Sequence, residues 1–122
     1  MKLRLALCCA MLLACFAAVA SAQDAVKADP AHYKIESENA QVRILRVHYG
    51  PHEKSIMHSH PNAVAIYLTD GHVKFTDPAG KTTESTVKSG QVQYTAAGTH
   101  NPENLSDTPF ELILVELKGG KK

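Results

Sequence analysis

The chain has 122 residues, which is enough for one domain. Its 13 basic and 12 acidic residues nearly balance, and loss of Lys2 and Arg4 with the first 22 residues leaves 11 against 12, a net charge of −1. This composition lacks the excess of basic residues that a nucleic-acid-binding face requires, so we expect no nucleic-acid partner.

The first 22 residues have the three parts of a secretory signal peptide. Lys2 and Arg4 make a short basic start, residues 5–19 are uncharged and contain no Pro or Gly, and residues 20–22 place small side chains at a cleavage site. The apolar run is shorter than the ~20 residues that span a bilayer. We therefore predict cleavage after Ala22 and a periplasmic or secreted protein.

The cysteines indicate one alternative for this segment. Cys8, Cys9 and Cys15 all lie within it, so cleavage leaves neither a thiol nor a disulfide. Cys15 follows Leu-Leu-Ala, which resembles a bacterial lipobox, and lipidation of Cys15 would attach the protein to a membrane. Leu13 stands where a small residue is usual, and this favours cleavage after Ala22 without membrane attachment.

A polar lead-in segment at residues 23–39 is followed by short β-rich runs that alternate with turn signals. Asp70-Gly71 is a strong hairpin signal, and no stretch has a sustained helical period. Short strands separated by turns about every eight to twelve residues predict an all-β sandwich or barrel, whose closure removes exposed edges. We expect this barrel over residues 40–118 and a flexible tail at 119–122. The predicted strands cover residues 41–49, 55–60, 63–69, 72–76, 82–87, 91–95, 99–104 and 110–117.

His58 and His60 are two residues apart in one of these predicted strands. Because side chains alternate faces along a strand, both imidazoles point the same way. If Ile56, which shares their face, points inward, both enter the barrel, and with His100 from a distant strand they would form a metal site. The alternative is a pair of surface histidines on an exposed strand.

The wider spacing resembles the two sequence motifs of the cupin superfamily. The first motif is a His-x-His pair followed by a glutamate and a closing glycine, and the second is a Gly, Pro-x-Gly, His, Asn series, here with Ala96 in the proline position. The resemblance implies a small single-domain cupin of the conserved-barrel type, which is a double-stranded β-helix or jelly-roll barrel with a metal site inside one end. The matching residues are His58, His60 and Gly71, then Gly90, Gly98, His100 and Asn104.

Carried over residue by residue, the resemblance makes His58, His60 and His100 metal ligands. The motif's glutamate falls on Val64 or Ala65, so the resemblance implies a neutral three-histidine site, similar to those of thiol dioxygenases and diketone-cleaving dioxygenases. Three neutral imidazoles leave a divalent ion its full charge and keep positions open for a ligand. Imidazole does not select the metal, so Fe, Zn, Mn, Ni and Cu are all compatible.

Three functions stay open at this point. The first is a metal-dependent enzyme, such as an oxygenase, acting on a small molecule, and the second is a non-catalytic module that binds a small ligand or a metal. The third is a cupin that has lost its metal and kept the scaffold. A homodimer is also expected, formed through an apolar edge strand such as residues 110–117.

Several further side chains are expected around the site. Tyr67 and Tyr94 should point inward, where either could donate a proton or support a metal ligand. His52 is expected at the rim rather than as a fourth ligand, and Glu103 on the face opposite His100. Asn104 is expected to hold a turn rather than to act in chemistry. The remaining histidines, expected at the surface or at strand ends, are His32, His48 and His72.

Overall fold

The computed structural model describes residues 23–119, in which the regular structure is β-strand apart from one short helix. The predicted signal peptide, the three cysteines with the alternative lipidation site, and residues 120–122 lie outside this range. No helix in the range is long and apolar enough to cross a membrane. The elements in it are α1 (Ala25–Ala28), β1 (Tyr33–Glu38), β2 (Val42–Tyr49), β3 (His58–His60), β4 (Ala63–Tyr67), β5 (Gly71–Thr76), β6 (Thr82–Val87), β7 (Val92–Thr95), β8 (Gly98–Asn104) and β9 (Phe110–Leu117).

The nine described strands form two sheets. One has the order β1-β2-β9-β4-β7 and the other the order β3-β8-β5-β6, and all the strand pairs within them are antiparallel. Strands that are distant in sequence become neighbours, since β2 pairs with β9 from Val42↔Leu117 to Tyr49↔Phe110. The predicted all-β class is confirmed.

Buried and more exposed side chains alternate along the paired strands β2 and β9, and the buried ones form much of the core. Leu45, Val47 and Tyr49 from β2 are buried on one face, together with Leu112 and Leu114 from β9. Full burial of an apolar side chain of this size contributes about 1.5–3 kcal/mol. These strands therefore form the apolar wall to which the four-stranded sheet adds its own buried residues.

The predicted hairpin at Asp70-Gly71 is wrong. β4 pairs with β7 and β9, whereas β5 pairs with β6 and β8, so this turn passes from one sheet to the other. A Cβ atom on Gly71 would lie 2.4 Å from Cδ2 of Phe110, so glycine is needed there because the backbone approaches this ring closely. The left-handed glycines are Gly80, in the turn of the β5–β6 hairpin, and Gly90, at φ values of 85° and 84°.

The strand predicted over residues 55–60 is shorter in the structure. Only His58–His60 is a strand, and the condition that Ile56 points inward is not met, because its side chain is 53% exposed. The alternation of faces does not extend to Ile56, since it lies before the hydrogen-bonded part of the strand. His58 and His60 nevertheless both face the interior.

The N-terminal segment contains more structure than the predicted lead-in. Asp24 caps helix α1, and its carboxylate accepts hydrogen bonds from the backbone N–H groups of Val26 and Lys27 at 3.0 and 3.4 Å. β1 follows and pairs with β2, and both Ala25 and Tyr33 are buried in the core. The segment is thus packed against the barrel.

The strand expected to mediate a homodimer is not an edge strand. β9 lies between β2 and β4 and is paired along its length with both. Its backbone hydrogen-bonding groups are therefore already used, and they cannot pair with a second copy. The sheet edges in the described residues are β1 and β7 in the five-stranded sheet and β3 and β6 in the four-stranded sheet.

Candidate metal centre

Three histidines from two neighbouring strands lie together inside the barrel. β3 and β8 are paired with His58 opposite His100, and His60 projects from the same face as His58. The three rings are steeply inclined to one another, with centroids 4.7 to 5.3 Å apart. One nitrogen from each ring lies within 4.8 Å of the other two. The structure therefore groups the three residues that the sequence proposed as ligands.

His58 is fully buried, and its hydrogen bonds fix its tautomer. Its Nδ1 donates to the carbonyl oxygen of Ile56 at 2.8 Å, with the hydroxyl of Ser55 at 3.3 Å, so Nε2 carries a free lone pair. Burial, together with the nearby His60, lowers the pKa of His58 to about 4. The ring therefore stays neutral and able to bind a metal at neutral pH.

His60 is oriented by a buried carboxylate that sequence reasoning missed. Its Nδ1 donates to Oε2 of Glu116 at 2.9 Å, and Glu116 is only 1% exposed. Oε1 of Glu116 in turn accepts from Nε of Arg43 at 2.6 Å, and Arg43 also pairs with Asp24. A carboxylate on the outer nitrogen fixes the imidazole ring and makes it more basic as a ligand.

A signal for Glu116 was present in the sequence. Phe110, Leu112 and Leu114 alternate along β9 as inward residues, and the next position in this series is Glu116. A charged residue at an inward position requires a partner, since an unpaired buried charge is costly. The partners, His60 and Arg43, come from strands that only the fold brings close.

His100 has a buried nitrogen without a hydrogen bond. Its Nε2 has no partner among the described residues, and its ring stacks on Phe75 with centroids 5.2 Å apart and an interplanar angle of 27°. Burial, together with His60 and His58, lowers the pKa of His100 to about 3. A buried polar atom without a partner costs roughly 1–3 kcal/mol, and a bound ion would remove that cost.

The donor set fits a metal ion. Nε2 of His58 and Nε2 of His60 lie 2.9 Å apart with their other nitrogens occupied, so two lone pairs face each other unless a proton or a cation lies between them. Two nitrogens in adjacent positions around one ion, each about 2.1 Å from it, have this separation. With a nitrogen of His100, three imidazole donors come within 4.8 Å of one another.

No carboxylate replaces the motif glutamate inside the cluster. Ala65 lines the neighbouring cavity and Val64 does not, and neither side chain offers an oxygen ligand. Glu116 does not face the space between the three rings. Its carboxylate accepts a hydrogen bond from Nδ1 of His60, and it forms an ion pair with Arg43. The three candidate ligands are thus all imidazoles, while the layer behind them contains a carboxylate and a guanidinium.

A cavity of about 300 Å³ adjoins His60 and His100. Tyr67 lines it, with its hydroxyl 3.4 Å from Oε1 of Gln93. The expectation that Tyr94 points inward is wrong, because Tyr94 is 59% exposed and lies outside the cavity. Alternation along β7 is the reason, since Gln93 faces the cavity and its neighbour Tyr94 faces solvent.

The sequence matches the family model described as a cupin domain over residues 45–116. The chain belongs to the cupin family. No curated protein sequence matches this cupin.

Solved structures with the same fold include one cupin at 25% identity. This cupin domain protein from Bordetella pertussis Tohama I has a TM-score of 0.67 and covers 71% of this chain and 92% of its own. A conserved protein with a double-stranded β-helix domain from Klebsiella pneumoniae is 18% identical, with a TM-score of 0.57 and 74% and 78% coverage. A point variant of oxalate decarboxylase from B. subtilis is 19% identical, with a TM-score of 0.52 and 69% and 23% coverage. The predicted double-stranded β-helix is therefore confirmed.

Three further residues considered near the site, His52, Glu103 and Asn104, lie outside the histidine cluster. His52 is exposed in a turn, where its Nε2 lies 2.5 Å from Asp107, and Glu103 pairs with Lys74 at 3.1 Å, away from His100. Asn104 is buried, and its side chain donates to the carbonyl oxygens of Gly50 and Thr108, which is the structural role expected for it.

His32 differs from its expected surface position. Its side chain is 14% exposed, and its ring stacks on Tyr49 with centroids 4.4 Å apart. Both ring nitrogens are used, Nδ1 with Asp29 and Nε2 with Glu53, each at 2.6 Å. His32 therefore fastens the N-terminal segment to the barrel beside the candidate metal centre.

Proposed function

We propose that this cupin binds a divalent metal ion through His58, His60 and His100 and presents it to a small molecule in the adjoining cavity. The observation that carries this proposal is the convergence of one nitrogen from each of the three rings within 4.8 Å, at a place where Nε2 of His100 is buried without a hydrogen-bond partner among the described residues. Both outer nitrogens of that pair are occupied by acceptors, so the inner lone pairs are available to an ion.

The metal would supply Lewis acidity at an open coordination position. Imidazole donors suit Fe, Zn, Ni and Cu best, and Mn is also compatible. The protein residues hold the rings of His58 and His100 in the neutral form, exclude water from His58 and shape the cavity next to His60 and His100. With iron in the site, the proposed activity is an oxygenase reaction on a small molecule.

A second candidate function is non-catalytic binding of the metal or of a small ligand. Among the described residues, no Asp, Glu or Lys lines the cavity, so its proton donors are hydroxyl groups and the histidines themselves. This favours binding because general acid–base catalysis needs a group that titrates near the working pH. Oxygen consumption by iron-loaded protein, assayed with candidate small molecules, distinguishes the two functions.

Metal analysis of protein purified without added metal tests the site itself. We expect about one equivalent of metal in the native protein. A His100→Ala variant should lose this metal, because the substitution removes one of the three proposed ligands. His72→Ala is the matched control, since His72 is half exposed and pairs with Glu84. Less than about a tenth of an equivalent in the native protein, with no effect of His100→Ala, would contradict the proposal.

The proposed location is the periplasm or the extracellular medium, reached through the predicted signal peptide. The support is the sequence pattern of residues 1–22. Mass spectrometry of the exported protein should find an N-terminus at Gln23. A lipid-modified N-terminus at Cys15 would instead support the lipoprotein alternative, and an unprocessed chain would contradict both.

A further inference from the structure

The cavity beside the candidate metal centre has a wall without charged residues. Apart from histidine, all the residues that line it are apolar, aromatic or neutral polar. Two aromatic pairs belong to this wall, with Phe75 stacked on His100 and Tyr67 stacked on Phe110 at 6.0 Å. Its volume of about 300 Å³ is at the lower end of the roughly 300–1,000 Å³ range of ligand pockets.

From this wall we infer that the ligand is a small, largely apolar, ring-sized molecule that carries at most one anionic group. The inference rests on the proposed metal site, because the described residues that line the cavity include no Lys or Arg, and a bound dication would meet the ligand at one end only. A second anionic group held away from the metal would be buried against Tyr67, Phe110 and the aliphatic core without a cation to pair with. Burial of an unpaired charge is strongly unfavourable, so dicarboxylates whose second group points away from the metal should be rejected.

Two probes of equal shape and different charge test this inference. Titration calorimetry on zinc-loaded protein compares 3-carbamoylbenzoate with isophthalate, in which a second carboxylate replaces the amide. We expect the monoanion to bind at least about tenfold more tightly. Gln93→Arg, at an exposed position that lines the cavity, should reduce this preference by pairing with the second carboxylate.

The matched control is Val92→Arg on the opposite face of the same strand, where the side chain is 62% exposed and outside the cavity. It should leave the preference unchanged. Equal binding of the two probes to the native protein, binding of neither, or an equal effect of both arginine variants would overturn the inference. A protein that takes up no zinc contradicts the proposed metal site instead, so the two failures are distinguishable.

An independent observation concerns the N-terminal strap, which we define as residues 23–33. The strap lies against β3, and the backbone N–H of Ser59, between the two histidines, donates to the carbonyl oxygen of Gln23 at 2.9 Å. The strap contributes the buried residues Ala25 and Tyr33, and the Tyr33 ring contacts His58 edge-on with centroids 4.7 Å apart. It therefore covers the strand that holds two of the three candidate ligands.

Two hydrogen-bond chains run from these ligands to acids of the strap. From His60, the chain passes through Glu116 and Arg43 to Asp24, whose Oδ1 lies 3.2 Å from Nη1 of Arg43. From His58, it passes through the hydroxyl of Ser55, which donates to Asp29 at 2.5 Å.

The geometry points to Asp24 and Asp29 as positioning residues: Asp24 holds the tautomer and orientation of His60 through Arg43 and Glu116, and Asp29 supports the orientation of His58 through Ser55, beside the Ile56 carbonyl that sets its tautomer. This proposal rests on the proposed metal site. The cupin match covers residues 45–116, so both acids and Arg43 lie outside the part of the chain that the family shares. Groups that orient metal-bound histidines typically change metal affinity by 10–100-fold when they are removed.

Zinc affinity, measured by competition with a chelating dye, tests the strap. Asp24→Asn keeps the helix cap, because Asn caps as well as Asp, and removes only the charge that faces Arg43. We expect roughly tenfold weaker zinc binding for Asp24→Asn and for Asp29→Asn, more in the double variant, and recovery with Asp24→Glu. Glu84→Gln is the control, since Glu84 is an exposed acid on β6 that pairs with His72, away from Asp24 and Arg43.

A second readout separates positioning from a loss of stability. The ¹⁵N shifts of the ring nitrogens should indicate Nδ1–H tautomers of His58 and His60 in the native protein and mixed tautomers of His60 in the Asp24→Asn and double variants, with His58 as the internal reference. Native zinc affinity in the double variant, an equal loss in Glu84→Gln, or unchanged ¹⁵N shifts would overturn the assignment. If the native protein itself binds no zinc, the proposed metal site fails, and the ¹⁵N shifts of the metal-free variants still test the positioning role.

Discussion

The metal-free protein should lose stability as the pH falls from 7.5 to 5. His58 and His100 have pKa values lowered to about 4 and about 3, chiefly by burial, whereas in the unfolded chain both should titrate near 6.5. Between pH 6.5 and 4 the unfolded state therefore binds protons that the folded state does not. Stability rises with pH wherever the unfolded state binds more protons, so acidification destabilises the fold in this window.

The size of the effect follows from the two shifts. At pH 5 an unfolded histidine is almost fully protonated, while His58 and His100 remain largely neutral, which costs about 2 kcal/mol for each residue. His32 acts in the opposite direction, because its hydrogen bonds to Asp29 and Glu53 outweigh burial and raise its pKa. The stability that His32 adds is fully present below the pKa of the unfolded chain and is lost as the pH rises through the raised pKa of the folded protein. At pH 5 His32 therefore offsets part of the stability lost through His58 and His100.

Thermal unfolding in the presence of a chelator measures this prediction. We expect the midpoint to fall by more than about 10 °C from pH 7.5 to 5, since 1 kcal/mol corresponds to about 4–8 °C for a domain of this size. His100→Gln, which does not titrate, should reduce that fall by roughly half, whereas His72→Gln at an exposed position should not. A midpoint that is constant over this range, or a His100→Gln variant with the full pH dependence, would refute the reasoning.

Three further substitutions, with Gly98→Ala as a control, test the packing and one buried hydrogen-bonding side chain. Leu45→Ala removes a fully buried side chain and should lower the free energy of unfolding by about 2–5 kcal/mol in chemical denaturation. Gly71→Ala places a Cβ atom 2.4 Å from the Phe110 ring and should cost about 1–3 kcal/mol, whereas Gly98→Ala, whose nearest neighbour is 3.9 Å away, should be tolerated; equal effects would contradict this difference. Asn104→Ala leaves two carbonyl acceptors without their donor and should cost about 1–3 kcal/mol, and unchanged stability would contradict its structural role.

The strands were largely predictable because their signals are local. The alternation of Phe110, Leu112 and Leu114 and the continuous apolar run at residues 63–67 each specify a strand without reference to the rest of the chain. Strand pairing was harder to predict, because the Asp70-Gly71 turn signal does not indicate whether the next strand joins the same sheet. Gly71 in fact meets the ring of Phe110, a contact between residues far apart in sequence.

Side-chain direction was predictable only where the strand register was certain. His58 and His60 share a face because they are two residues apart, and this holds whichever face is inward. Tyr94 was assigned to the wrong face because its strand has only four residues, and a shift of one residue reverses every side chain.

By itself the sequence determined an all-β chain, a His-x-His pair on one strand face and a third histidine at the spacing of a cupin, because these depend on intervals along the chain. Only the tertiary structure decided what surrounds those histidines. Glu116, Arg43 and Asp24 are far apart in sequence, and they become one hydrogen-bonded chain behind His60 only after β2, β9 and the N-terminal strap have packed together. Charge pairing inside a barrel depends on distances through space, which no interval along the chain encodes.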